Sequence, residues 1–266
     1  MSIADYVLTM TSSIKPKVRS LNSSQYENSY TSKQQQEEEE QLQESSTAAT
    51  TTTVVVDKLK IVGVGGSMRK GSYSTLTLNL VLEEAKRYEA ESYMLELRKI
   101  NLPLYNPNGS LSDQPSSSSS YNNNNNLETI TKTLKWADAF ILASPDYHGS
   151  MSGALKNFLD YFWEEFAGKT FGYIVASHEK GLTVVDQMRT AVRQCYGWSM
   201  PYNISINGEK DFSNGNLVNT VLAERIKMLA RDLVTYGKLI RRQFLQDVGD
   251  QKILETFATH YRDYYN

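Results

Sequence analysis

Between residues 58 and 242 the chain alternates between two apolar patterns. Nearly continuous apolar runs at Lys58 to Gly65, Ala137 to Ser144 and Lys169 to Ser177 predict strands buried on both faces, as in a parallel sheet. Glu91 to Leu97 alternates, and Pro201 to Ile206 completes a set of five strands. The intervening segments have helical periodicity. In Thr75 to Ala90 the apolar stripe is Leu76, Leu80, Val81 and Ala85. Further helices are expected over Leu127 to Trp136, Ala154 to Phe166, Leu182 to Tyr196 and Leu217 to about Arg242. Ile253 to Tyr264 predicts one more, packed on the outside or on a partner chain. Strict alternation of strands and helices implies right-handed βαβ units and an α/β fold with a doubly wound parallel sheet. Five strands suit the order 2-1-3-4-5, in which ligands bind beyond the carboxyl ends of strands 1 and 3.

The flanks change the domain picture. Residues 1–57 are rich in Ser, Thr, Gln and Glu and contain QQQEEEE at Gln34 to Glu40. Such a segment buries too little apolar area to offset its conformational entropy, and is expected to be a disordered tail. A transit peptide is the alternative, weakened by Asp5 and Glu27. Asn108 to Asn126 holds SDQPSSSSS and then five asparagines, and reads as a low-complexity surface insertion. The expected organisation is a tail at 1–57, one ligand-binding domain at 58–245 carrying the 108–126 insertion, and a helical extension at 246–266.

Composition mainly excludes. The net charge of −2 gives no general affinity for nucleic acid or anionic membrane, and the body after residue 57 is close to neutral. No apolar run approaches a membrane span, and no secretory signal opens the chain. A lone cysteine, Cys195, permits no internal disulfide and fits a reducing, cytoplasmic compartment. One Cys and three His, widely scattered, have no metal-ligand spacing.

The chemistry concentrates in Gly63 to Ser74, GVGGSMRKGSYS, between the first strand and first helix. A Walker A loop fails, because Gly71 is followed by Ser72 and Tyr73. A dinucleotide fingerprint fails too, because Met68 stands where its third glycine belongs. What remains is a helix N-terminus, with its unpaired N–H groups and positive dipole end, beside the hydroxyls of Ser67, Ser72 and Ser74 and the guanidinium of Arg69. That set suits one terminal phosphate. By itself it is also compatible with a polar turn whose Arg lies in solvent. The loop after the third strand, Pro145-Asp146-Tyr147-His148-Gly149, would lie beside it at the switch point. There a planar ring system would stack, unless the loop is a simple connector with a buried Tyr.

Together the two loops resemble the NAD(P)H-dependent FMN reductase family, flavodoxin-like proteins that include FMN, quinone, azo and chromate reductases. The first family motif, Gly-Ser-x-Arg-x-x-Ser, is matched by Gly66, Ser67, Arg69 and Ser72. The second is matched by Pro145, Asp146, Tyr147, His148, Ser150, Gly153, Leu155, Lys156, Asn157 and Asp160. The resemblance spans about residues 58–242. It implies that Ser67, Arg69, Ser72 and Ser74 hold the FMN phosphate, with Tyr73 among the cofactor-binding residues. Pro145, Asp146, Tyr147, His148 and Gly149 would line the ring, joined by Ser177, His178 and Gly181 of the loop after strand 4. Two departures stand out: His148 replaces the usual Asn, and the third loop has one glycine where the family often has several.

The implied activity is hydride transfer from NADPH or NADH to bound FMN. Two electrons then pass to a small-molecule acceptor of quinone, flavin, azo or metal type, in ping-pong fashion. No protein residue is assigned as catalytic. The resemblance also implies a homodimer or homotetramer. The stripe Phe158, Tyr161, Phe162 and Phe166 would serve core or dimer packing. The rival reading is an FMN-binding electron carrier or redox-sensing interaction protein. Carriers of this type are usually strongly acidic, which the near-neutral body is not.

Overall fold

A computed structural model describes residues 58–100, 102–107 and 120–265, with side chains from 127 onward in the last stretch. The tail at 1–57 and most of the low-complexity insertion lie outside the described residues. Strand β1 (Lys60–Gly65) lies between β2 (Glu91–Glu96) and β3 (Ala139–Pro145). Beyond β3 comes β4 (Thr170–Ala176), which pairs with β5 (Trp198–Ser199) and β6 (Ile204–Ile206). All these pairings are parallel, in the order 2-1-3-4-5. A two-stranded antiparallel pair, β7 (Phe212–Ser213) with β8 (Asn216–Leu217), follows.

The helices are α1 (Tyr73–Lys86), α2 (Ser120–Trp136), α3 (Gly153–Asp160), α4 (Leu182–Gln194), α5 (Gly208–Asp211), α6 (Thr220–Gly249) and α7 (Arg262–Tyr265). Successive strand residues point to opposite faces, which sorts the core into two layers. Ile61, Ala139, Ile141 and Ala143 pack with Leu78, Val81 and Leu82 of α1 and Ile226, Leu229 and Leu233 of α6. Val62, Val64, Phe140 and Leu142 pack with Leu134 of α2, Leu155 and Phe158 of α3 and Val184, Val185 and Met188 of α4. Every residue of β3 is buried, as its unbroken apolar run requires.

Several boundaries differ from expectation, each for a local reason. The fifth strand is split, because Pro201 has no N–H to continue the ladder after Met200 donates to the Phe171 carbonyl at 2.8 Å. The third helix stops at Asp160 instead of Phe166. Trp163 leaves helical geometry (φ −135°, ψ −65°), and Phe166 packs edge-on against Phe140 and Phe171. Phe158, Phe162 and Phe166 are core residues. Helix α2 begins at Ser120 and takes in the asparagines Asn122–Asn126, expected to belong to the insertion. Once a helix is nucleated, each added residue gains a backbone hydrogen bond, and Asn is only a modest helix former. Helix α6 runs on to Gly249, and Phe257–Tyr261 forms a 3₁₀ turn before α7 in place of one longer helix.

At the amino ends of β3 and β4 two cations are buried. Lys169 has no exposed surface, and its Nζ donates to the Leu134 carbonyl at 2.7 Å, satisfying an end of α2. Burial holds its pKa well below the usual lysine range; Arg241 adds to that and Asp138 opposes it. Arg241 Nε donates to Asp138 at 3.4 Å, and its guanidinium lies 4.8 Å from the Tyr265 ring centre.

Candidate active site

A cavity of about 1270 Å³ opens at the carboxyl ends of β1, β3 and β4. The loop after β1 enters it through a close approach. Gly66 N donates to the Ala143 carbonyl at 2.8 Å. A Cβ on Gly66 would stand 2.9 Å from Leu155 Cβ and 3.0 Å from that same carbonyl oxygen, so only glycine fits. Ser152 caps α3 by accepting from Leu155 N at 3.2 Å, and donates to the Gly66 carbonyl at 2.6 Å. The first and second loops are thus fastened by one hydroxyl.

Ser67 is buried and accepts from Arg69 N at 3.2 Å, while the Arg69 side chain faces solvent and the cavity. Ser72 is the N-cap of α1, accepting from Thr75 N at 3.3 Å and donating to Thr75 Oγ1 at 2.8 Å. Ser74 has no exposed surface, and its hydroxyl lies 3.3 Å from that of Ser72. It therefore acts on the loop through Ser72. Tyr73 stacks obliquely on Phe212, with ring centres 5.4 Å apart.

The second loop is a two-residue hairpin. Tyr147 and Ser150 exchange backbone hydrogen bonds of 3.0 and 3.1 Å. Between them His148 (φ 57°) and Gly149 (φ 76°) are both left-handed, the signature of a type I′ turn. Asn-Gly is the favoured pair there, and His is among the few non-glycine residues enriched at positive φ, so His148 is a conformational substitute for the expected Asn. Asp146 holds the turn from both sides: one oxygen accepts from Gly149 N at 2.8 Å, the other from the Ser177 hydroxyl at 2.9 Å. Gln187 of α4 braces it further. Its carbonyl oxygen accepts from the Ser150 hydroxyl at 2.9 Å and Met151 N at 3.1 Å, and its amide donates to the Gly149 carbonyl at 3.3 Å.

In the third loop Ser177 N donates to the Ile206 carbonyl at 2.9 Å, and Gly181 (φ 59°) leads into α4. Asn207 donates to the His178 carbonyl at 3.1 Å, and Ser205 to that of Lys180 at 2.6 Å. All thirteen residues expected at the site line this one cavity. The other lining residues are neighbours of these on the same three loops and the elements that flank them, apart from Gly208, Glu209 and Gly215, which come from the segment containing α5 and the β7–β8 hairpin and which the sequence reading did not include. Nor did it include Gln187, which sits on the exposed face of α4. Lys156 of the second motif pairs with Asp160 of the same motif, one helical turn on. Among the described residues no group of three or more His, Cys, Asp or Glu could hold a metal, and no helix is long and apolar enough to cross a membrane. Burial pushes the Cys195 thiol up to about 11, so it is not a thiolate at neutral pH.

Sheet order and cavity together define a flavodoxin-like α/β protein with its ligand site at the topological switch point. The family model described as NADPH-dependent FMN reductase matches residues 59–211, and the chain belongs to that family of oxidoreductase enzymes. It is 28% identical over 190 residues to the NADPH azoreductase of Bacillus sp. (strain OY1-2), covering 70% of this chain and 98% of that one. An NAD(P)H-dependent FMN reductase of Pseudomonas aeruginosa is 31% identical over 126 residues, covering 46% of this chain and 61% of the relative. Among solved structures, the fold is similar to the flavoenzyme NAD(P)H:(acceptor) oxidoreductase FerB of Paracoccus denitrificans (TM-score 0.55, 19% identity, 68% of this chain and 98% of that one). The donor set fits FMN: a helix N-terminus, Arg69 and Ser67 can receive a phosphomonoester, and the facing second and third loops border space for a flat ring.

Proposed function

We propose that the protein takes hydride from NADPH or NADH through FMN and passes two electrons to a small acceptor. Azo compounds are the first acceptors to test, followed by quinones, free flavin and metal chelates. The observation that carries this reading is the convergence of three βα loops, with their thirteen expected residues, on one cavity. Bound FMN supplies the redox chemistry, which none of the side chains here provides.

The residues bind and orient. Arg69 and the N-terminus of α1 offset the phosphate charge, with Ser67 and Ser72 shaping the loop that presents them. Ser74 and Tyr73 hold that loop from behind. Pro145, Asp146, Tyr147, His148 and Gly149 form one side of the ring site, and Ser177, His178 and Gly181 the other. Asp146 keeps the two sides in register through its two hydrogen bonds. The half-exposed Tyr147 ring gives an entering acceptor an aromatic face. The proposed state is a homodimer or homotetramer. A cytoplasmic location rests on the lone cysteine.

The deciding experiment is an absorbance spectrum of the purified protein with FMN, followed anaerobically on adding NADPH. Loss of the flavin band near ~450 nm is the expected result. Binding without bleaching would leave an electron carrier or sensor, and absence of flavin binding would overturn the site.

A further inference from the structure

The segment between β6 and α6 is built more firmly than a connector needs. Asp211 is buried in it, and its carboxylate accepts from Asn207 N at 2.8 Å and from Asn219 Nδ2 at 2.6 Å. Asn207 directly follows β6, and Asn219 caps α6 by accepting from Val221 N at 2.9 Å. The Asp211 carbonyl accepts from Val218 N at 2.9 Å, so both ends of the segment are tied to one residue. What the segment grips is a side chain of another element. Tyr73 is the first residue of α1, and its ring meets the segment twice. Phe212, itself buried, packs on it with ring centres 5.4 Å apart and planes at 36°. A Cβ on Gly208 would stand 1.9 Å from it, an approach that only glycine allows. The loop leading into α1 gives that first turn little to rest on, because Met68, Arg69, Lys70 and Gly71 are all exposed.

We infer that Gly208 and Phe212 are positioning residues for the FMN phosphate, fixing the first turn of α1 through Tyr73. The inference rests on that phosphate lying at the start of α1, as proposed above. Tyr73 and Ser74 directly follow the Ser72 cap, and a helix leaves its first N–H groups without an acceptor of its own. An anion at a helix start is held by such groups together, so a tilt of one turn misaims them all at once. The clamp on Tyr73 opposes that tilt. Its action is confined to the phosphate end: relaxing it should weaken the hold on the phosphate and leave the ring site nearly as it is. Riboflavin, which is FMN without the phosphate, separates the two effects.

The test is equilibrium titration of the flavin-free full-length protein with FMN and with riboflavin, read by flavin fluorescence. Two substitutions loosen the clamp through different atoms. Phe212→Leu removes the ring face but keeps an apolar side chain, and Gly208→Ala pushes a methyl group into the Tyr73 ring. Thermal melting shows whether each variant is folded, and if Gly208→Ala is not, Phe212→Leu decides alone. Wild type is expected to bind FMN at least about thirtyfold more tightly than riboflavin. Each variant should weaken FMN about tenfold while riboflavin changes less than about twofold. Because the effect runs through Tyr73, Tyr73→Leu should weaken FMN similarly, and adding Phe212→Leu to it should cost less than about twofold more. Arg69→Gln serves as the reference for a selective loss of phosphate binding. If it weakens FMN alone while the folded clamp variants weaken both ligands equally, or neither, the inference falls and the phosphate site stands. Losses from Tyr73→Leu and Phe212→Leu that simply add would also overturn it. A wild type that binds FMN no more tightly than riboflavin, with Arg69→Gln indifferent, would defeat the underlying phosphate reading and the inference with it.

Discussion

Gly149 offers a clean test of the second loop. Its φ of 76° is one that a Cβ disfavours, yet a Cβ there would meet nothing closer than the Thr183 hydroxyl at 3.7 Å. Replacing Gly149 with Ala therefore carries a conformational cost without a steric one. Left-handed backbone costs a non-glycine residue about 1–2 kcal/mol, while the stiffer unfolded chain returns about 0.4–1 kcal/mol. The net expectation for Gly149→Ala is a loss of about 1 kcal/mol. Asn tolerates this region, so Gly149→Asn should lose only about half as much. His148→Asn should gain a few tenths of a kcal/mol, because Asn is better suited to the first central position of the turn. The assay is urea unfolding followed by circular dichroism. At an m-value of about 2–3 kcal/mol/M, the alanine variant's midpoint should fall by about 0.4 M. FMN affinity should fall with it, since the turn carries residues of the ring site. An unchanged midpoint for Gly149→Ala would show that the backbone is not held left-handed, and the type I′ assignment would fall.

Other outcomes follow from the same geometry. Gln187→Leu removes three hydrogen bonds to the second loop at an exposed position, and should cost about 1 kcal/mol in urea unfolding and weaken FMN binding in titration. Gly66→Ala drives a Cβ into Leu155 and the Ala143 carbonyl, and should destabilise by about 1–3 kcal/mol, measured by thermal or urea melts, and abolish tight FMN binding. Lys169 has a folded pKa depressed below its unfolded value, so between the two the unfolded chain holds the extra proton and stability rises with pH. Cys195, raised by burial, works in the opposite direction in alkaline solution. The informative quantity is accordingly wild-type stability minus that of Lys169→Met. It should climb as pH is raised from 7 toward about 10.4, by at most ~1.4 kcal/mol per pH unit. A flat difference in paired urea titrations would mean the buried amine is not held neutral.

How much could be read from the residues alone depended on how each feature is encoded. β1, β3 and β4 were legible because strands buried on both faces leave continuous apolar runs, and their order followed from strict βαβ alternation. The three ligand loops were legible because small, hydroxyl and proline residues cluster where backbone must turn. The split outer strand was not, because two- and three-residue pieces are too short to show a period. The β7–β8 hairpin left one usable sign, the Asn214-Gly215 pair, a strong hairpin signal even between very short strands. Gln187 left none, since a polar residue on a solvated helix face looks alike whether or not it braces a neighbouring loop. The start of α2 was hidden by composition: an asparagine run resembles a loop, although a backbone ladder already under way can extend through it.

The interrupted position beside β4 also bears on what happens when many copies of the chain are crowded together. A long, uncovered border strand offers a row of free amide and carbonyl groups on which another molecule can build, the first step toward ordered aggregates. Here that border consists of two residues and then three, broken around Pro201. The opposite border, β2, carries Glu91 and Glu96 at its two ends and an exposed Tyr93 between them. Neither border presents a long, flat, uncharged template. Joining β5 and β6 into one smooth strand, as by Pro201→Val, would improve the local ladder at the expense of colloidal behaviour. The break is thus a safeguard in a chain that also carries asparagine- and glutamine-rich stretches.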